Sequence, residues 1–302
     1  MLEVLNNKMK KGMKDNIERK KPSINDVVMY ENFPLFSFIE LNINELCNRK
    51  CPFCPRVNPK IYPNQNIHMD IEIVRIIAKQ LKKLNFTGIV NISGTGEPLL
   101  TKYIVDIVKE FGDRNIHIEI VTNGDILTRK KGPQLIKDIY KAGLSQFVIS
   151  MYDGPEQIEY FNNLFSSCGI DKSLYSLRDR WYDESEDYGL LYTNRAGNIG
   201  FEYLSKIAKE KLIKSGKSAC FYTHYAMMID WNGDALICCQ DMYNRTVKFG
   251  NVKNKPLTKI WRDGKLTEFR NKLKNGDRSL SPCSNCNANG QVFGFNHAKA
   301  WK

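Results

Sequence analysis

The chain has 302 residues, 42% of them hydrophobic, and a formal net charge of +12. This is enough apolar material for one large core and a small second one, and no apolar run approaches the length of a membrane span. Nine cysteines in a Lys-rich chain without a secretory signal exclude a disulfide scaffold and point to thiolate ligands in a reducing, cytoplasmic setting. The positive charge raises nucleic acid or an acidic substrate as partners. However, Lys and Arg are spread over helix faces, so nucleic acid is not the expected partner.

Residues 1–32 read as a polar lead-in. Its first 21 residues hold seven Lys/Arg against three acidic residues, and the expectation is a solvated, frayed basic arm. A repeating strand–loop–helix pattern then begins. Phe36–Asn44 alternates as a strand, and a cysteine-rich loop leaves its C-terminal end. Asp70 caps a helix with Ile73, Val74, Ile77, Leu81 and Leu84 at helical spacing. Thr87–Ser93 is a second strand, followed by Gly94-Thr-Gly-Glu-Pro98 and a helix presenting Ile104, Ile107, Val108 and Phe111 on one face. Ile116–Thr122 is a third strand ending at Asn123-Gly124; Pro133 opens a helix that stops at Gly143. Gln146–Tyr152 is a fourth strand, closed by Asp153-Gly-Pro155.

Beyond about residue 165 the periodicity degrades, with at most a strand near Ser173–Leu177 and a helix over Phe201–Ile213. Tyr222–Cys239 reads as a hairpin around Trp231-Asn-Gly-Asp234, and Leu257–Leu273 as one helix. The alternation predicts an α/β fold with a parallel sheet closed, or partly closed, as a barrel over residues 33–213. A small hairpin-and-helix domain follows over 214–302. In such folds the reactive loops leave the C-terminal ends of strands, where every motif of the first half lies.

Two cysteine constellations carry the chemistry. Cys47, Cys51 and Cys54 stand at C-x3-C-x2-C, with no fourth ligand close enough to complete tetrahedral zinc. Three thiolates suit a [4Fe–4S] cluster that keeps one iron open, while a zinc knuckle with a remote fourth ligand is the alternative. Cys220, Cys238, Cys283 and Cys286 form the second set, with C-x12-G-x4-C through Gly233 and then C-x2-C. They suit a fully ligated cluster or a structural zinc ion. Cys239 is left over beside a ligand and Cys168 stands alone; each is either a buried small hydrophobe or a hydrogen-atom donor.

The first spacing, with Phe53 before the third cysteine, resembles the signature of the radical SAM superfamily. The second set resembles its twitch domain, a shortened form of the SPASM domain. These resemblances imply a partial (β/α)6 TIM-like barrel, S-adenosylmethionine on the open iron, and an auxiliary [4Fe–4S] cluster. They place Phe53, Gly94, Gly96, Glu97, Pro98, Thr122, Asn123 and Ser150 along the cofactor. Glu97 or neighbouring carbonyls would meet its ammonium, and Thr122, Asn123 and Ser150 its ribose and carboxylate. Thr122-Asn-Gly-Asp125-Ile-Leu-Thr128 and Thr193-Asn-Arg-Ala-Gly197 resemble a dehydrogenase branch of the superfamily, which implies oxidation of a carbinol carbon in a sugar or cyclitol. Arg195 would orient the hydroxyl; its guanidinium is no base. Asp241 and Tyr152 are candidate proton acceptors. A flavodoxin or ferredoxin would supply electrons. The runner-up is epimerisation of a sugar or peptide, with Cys239 or Cys168 returning a hydrogen atom, and a further alternative is peptide maturation.

Overall fold

The computed structural model describes residues 10–184, 193–199 and 218–301. The helix expected over Phe201–Ile213 lies outside them. Six strands run parallel: β1 (Phe38–Leu41), β2 (Ile89–Ile92), β3 (Ile118–Thr122), β4 (Gln146–Met151), β5 (Tyr175–Asp179) and β6 (Ala226–Ile229). Antiparallel β7 (Asp234–Leu236) and β8 (Lys248–Asn251) extend one edge, giving the order β8-β7-β6-β1-β2-β3-β4-β5. This is the curved, largely parallel sheet of a partial barrel.

Strand periodicity of two separates the faces. Ile39, Leu41, Val90, Ile92, Ile118, Ile120, Phe147 and Ile149 join the main apolar core. Against them pack the apolar stripes of α2 (Ile71–Lys83), α3 (Ile104–Gly112), α4 (Gly132–Lys141) and α5 (Glu156–Ser167). The Asp70 carboxylate accepts from Glu72 N at 2.8 Å, which fixes where α2 begins. The intervening positions form a polar lumen: Glu40 lies opposite Asn91, Asn91 opposite Glu119, and Glu119 opposite Gln146.

Over its described residues, from Lys10 onward, the basic lead-in is not a solvated arm. That part forms α1 (Lys11–Asn25), which packs against edge strand β5 and turns Met13, Ile17 and Lys20 toward the lumen. Lys20 Nζ lies 2.8 Å from Glu119 and Arg19 Nη1 2.6 Å from the same carboxylate; Lys20 also donates to Asn91 at 2.9 Å. Burial alone would raise the Glu119 pKa, but Lys20, the His117 hydrogen bond and Arg19 outweigh it and hold the carboxylate well below its usual range. A charge run suits solvent only while no buried counter-charge exists. Here that counter-charge sits on β3, about 100 residues away.

Three further elements depart from the reading of the sequence. Tyr222–Tyr225 is a single helical turn, and only Ala226–Leu236 forms the hairpin, whose first strand also pairs in parallel with β1. Leu257–Leu273 breaks into α6 (Leu257–Trp261) and α7 (Gly264–Lys274), because the Asp263 carboxylate accepts from Lys265 N at 3.0 Å and starts a new helix. The strand near Ser173–Leu177 lies at Tyr175–Asp179, where it completes the parallel sheet.

Candidate active site

One cavity of about 460 Å³ opens at the C-terminal ends of the parallel strands. Cys47, Cys51 and Cys54 line it together, as do Phe53, Gly94, Gly96, Glu97, Thr122, Asn123, Ser150, Arg195 and Cys239. Pro98 does not: it is buried behind the wall, where it opens a short 3-10 turn capped by Glu97. Asp241 is also absent from the wall; one of its oxygens accepts from Val247 N at 3.1 Å. Tyr152 is on the wall, and burial pushes its phenol up to about 12, which unsuits it as a base. Cys168 caps α5, with its thiol directed at the Pro133 carbonyl (3.7 Å) on α4, so it cannot deliver a hydrogen atom to this cavity.

The cysteine loop is held from several sides. Asn64 brackets Cys47, accepting from its N–H at 2.8 Å and donating to its carbonyl at 2.9 Å. Arg56 is 4% exposed and reaches the Thr95 carbonyl (2.5 Å) and the Glu45 carbonyl (2.6 Å), tying this loop to the glycine loop. Arg49 pairs with Asp125 (2.5 Å) and Asp153 (2.6 Å), which clamps the loops after β3 and β4 to the cysteines. The Arg49 guanidinium also lies 5.1 Å from the centre of the Tyr152 ring, and that ring stacks on Phe53 at 6.1 Å.

The glycines are required by a strut beneath them. A Cβ on Gly94 would come 2.3 Å from Asn42 Oδ1, and one on Gly96 only 1.6 Å from Asn44 Oδ1. Asn42 accepts from Thr95 N (3.0 Å), while Asn44 donates to the Glu97 carbonyl (2.8 Å). Glu97 is occupied as well: its carboxylate accepts from Thr122 Oγ1 (2.6 Å), Asn123 N (2.8 Å) and Leu99 N (3.0 Å), and burial raises its pKa to about 7. It welds two loops together, which leaves backbone carbonyls as the groups able to meet an ammonium. Arg178, which nothing in the sequence singles out, donates to Ser150 Oγ at 2.6 Å and faces the cavity. Among the described residues no carboxylate pairs with it, and a guanidinium beside a hydroxyl suits a ligand carboxylate.

The thiols fit an iron–sulfur group. Burial, then the neighbouring Cys54 and Cys47, push Cys51 up to about 12, and burial also raises Cys47. Without an added cation they would remain thiols, and iron supplies that charge. In the second set Cys238 is raised by burial and then by Cys239, Cys286, Cys283 and Cys220, so these sulfurs sense one another. A Cβ on Gly290 would stand 2.1 Å from Cys220 Sγ, so glycine is required there. Among the described residues no three His, Cys, Asp or Glu converge tightly enough to hold one metal ion. Four such thiols can occupy the four corners of a fully ligated iron–sulfur cluster.

Arg195 reaches the cavity from an unusual backbone. Arg195 (φ 48°), Ala196 (φ 55°) and Gly197 (φ 93°) are consecutively left-handed. Two such non-glycine residues cost roughly 1–2 kcal/mol apiece, so neighbours must impose the conformation. Asn194 N donates to Asn287 Oδ1 (2.8 Å), Asn287 N returns a bond to Asn194 Oδ1 (3.3 Å), and Asn194 Nδ2 donates to the Asn285 carbonyl (2.6 Å). Thr193 Oγ1 donates to Gln240 at 2.7 Å. At about 1 kcal/mol net each, these four bonds match the strain.

Residues 41–178 match the radical SAM superfamily, and residues 220–287 match SPASM, an iron–sulfur cluster-binding domain. The chain is a radical SAM enzyme with a SPASM-type domain. It is 29% identical to the S-adenosyl-L-methionine-dependent 2-deoxy-scyllo-inosamine dehydrogenase of Niallia circulans over 84% of this chain and 93% of that protein. The crystal structure of BtrN in complex with AdoMet and 2-DOIA superposes with a TM-score of 0.67 at 26% identity, covering 87% of this chain and 98% of that one. BtrN in an open conformation gives 0.60 at 23% identity, over 84% and 93%. Membership in the superfamily implies a [4Fe–4S] cluster, an auxiliary cluster and S-adenosylmethionine. Among the described residues no helix is long and apolar enough to cross a membrane.

Arg49, Arg56, Arg178 and the Asn42/Asn44 struts were not singled out from the sequence. Only the Asn-Ile-Asn just after β1 gave a signal, since Asn42 and Asn44 continue the polar alternation that Glu40 begins while Ile43 continues the apolar one.

Proposed function

We propose that this enzyme oxidises a carbinol carbon of a sugar or cyclitol to a ketone. The observation that carries this reading is the shared wall: Cys47, Cys51 and Cys54 face the cavity that Arg195 and Cys239 also line, and Cys239 directly follows Cys238 of the second set in the chain. When bound, the cofactors supply a deoxyadenosyl radical at one end and an electron acceptor at the other. The substrate carbon gives up a hydrogen atom, its hydroxyl a proton and the resulting radical one electron.

In this reading Cys47, Cys51 and Cys54 ligate the first cluster, and Cys220, Cys238, Cys283 and Cys286 the second. Phe53, the Gly94–Gly96 backbone, Thr122 and Asn123 line the cofactor, with Ser150 and Arg178 at its carboxylate. Arg195 orients the substrate hydroxyl and stabilises oxygen charge as the proton leaves. The barrel and the auxiliary domain divide near residue 214, a small flavodoxin or ferredoxin delivers electrons, and the setting is cytoplasmic.

A second reading, radical epimerisation, is favoured by one feature. Cys239 lines the cavity, and burial keeps its thiol protonated well above its usual range, the form a hydrogen-atom donor needs. Anaerobic turnover of 2-deoxy-scyllo-inosamine and a small-molecule extract in heavy water separates the two. Dehydrogenation gives a product lighter by two hydrogens as deoxyadenosine forms, whereas epimerisation keeps the formula and adds one deuterium. Cys239→Ala should leave dehydrogenation nearly unchanged and should abolish epimerisation.

A further inference from the structure

We infer that loading of the second cysteine set builds the cavity face carrying Arg195, with Asn287 and Asn194 as the positioning residues. This inference rests on the reading that Cys283 and Cys286 ligate the auxiliary cluster. Cys286 lies between Asn285 and Asn287, and both neighbours hold Asn194, the residue before Arg195. A ligand that fixes Cys286 therefore fixes both ends of the clamp.

The clamp acts on a strained turn whose own bonds, from Gly197 N (2.9 Å) and Ile199 N (3.1 Å) to the Asn194 carbonyl, also hang on Asn194. Arg195 and Ala196 are left-handed without being glycine, a conformation that persists only where the surroundings over-determine it. On the far side Thr193 bonds Gln240, two residues beyond Cys238 of the same set. Both anchors of residues 193–199 thus trace to thiols of the second set, and none of these bonds goes to the barrel strands. The short Ala288 N–H contact to Cys286 Sγ (3.4 Å) and the Arg278 bond to the Cys286 carbonyl (3.2 Å) stiffen the knuckle around that thiol.

The coupling has a functional consequence. A chain lacking the second cluster would lose its electron acceptor and its hydroxyl-orienting arginine together, so substrate would not be held in place for a radical with nowhere to send its electron.

Amide hydrogen exchange read by mass spectrometry tests this without a substrate. Full-length protein is compared cluster-free, reconstituted, and as reconstituted Cys283→Ala/Cys286→Ala, with β3 as internal reference for global folding. Peptides covering 193–199 should exchange at least tenfold more slowly in the reconstituted wild type than in the other two. Reconstituted Asn287→Ala should keep the wild-type iron content yet lose that protection, and Asn287→Asp, which retains the acceptor oxygen, should recover most of it. Equal exchange of 193–199 in the loaded wild type and the double variant, with iron lowered in the latter, would overturn the inference. Unchanged iron in the double variant would instead overturn the ligand assignment on which it rests. If exchange follows loading but Arg195→Lys turns over substrate normally, the clamp stands and the assigned role of Arg195 falls.

Discussion

The two cysteine sets reach similar chemistry by opposite routes. The first spans eight residues of one loop after β1, so its geometry is mostly local, and tertiary contacts from Arg49, Arg56 and Asn64 only steady it. The second collects sulfurs from positions 220, 238, 283 and 286, and nothing in the local sequence brings them together. What assembles it is β6 pairing into the main sheet beside β1, and the return of the knuckle after α7. A local site tolerates change elsewhere in the fold, whereas a gathered site transmits it.

The largest expected effect tests the local set. Cys51→Ala should lower deoxyadenosine formation at least a hundredfold and remove one cluster's iron, with the far-ultraviolet circular dichroism preserved. Iron retained together with activity would move the radical chemistry away from this loop. Cys283→Ala should sharpen the contrast by stopping ketone formation while deoxyadenosine release continues, measured by chromatography with mass detection. Loss of both activities would make the two sets one unit.

A third prediction concerns the other long-range assembly, α1 in the lumen. Glu119→Gln leaves Lys20 and Arg19 without their carboxylate, and breaking such a buried pair costs roughly 3–5 kcal/mol, read as a shift in the urea midpoint. The sign with pH follows from Glu119 being held below its unfolded value. Its contribution is fully present above the ordinary carboxylate range and is lost as pH falls through the depressed folded value. The gap between wild type and variant should therefore be flat from neutral pH to about pH 5 and close in stronger acid. A gap that widened on acidification would refute the pairing. The smallest effect is local again: Asp70→Ala should cost about 1 kcal/mol by removing the α2 cap, with no change in iron content.

The legibility of the chain follows the same division. The first cysteine loop, the glycine loop, the Asp70 cap and the parallel strands were readable because each signal lies within one or two turns of backbone. The charges of the N-terminal segment read as solvent-bound because the partner of Arg19 and Lys20, Glu119, lies on β3 about 100 residues away. Leu257–Leu273 reads as one helix because its apolar spacing runs through Asp263, although that residue caps a new one. The reading of the Gly-Glu-Pro turn puts either Glu97 or neighbouring carbonyls at the cofactor's ammonium, and the three donors on the Glu97 carboxylate, which come from other loops as well as its own, favour the carbonyls.

The sequence by itself determined the chemistry. Thiol spacing after a strand, a Gly-Glu-Pro turn and a distant second cysteine set are local consequences of what an open and a closed cluster require. Tertiary structure alone decided which residues share the cavity: Arg178 beside Ser150, Cys239 inside and Cys168 outside, and Arg195 held by asparagines that flank Cys286. Those placements depend on which side chains the barrel turns inward and which loops meet above it, and pairing between residues 28 to 93 positions apart leaves no local periodicity to read.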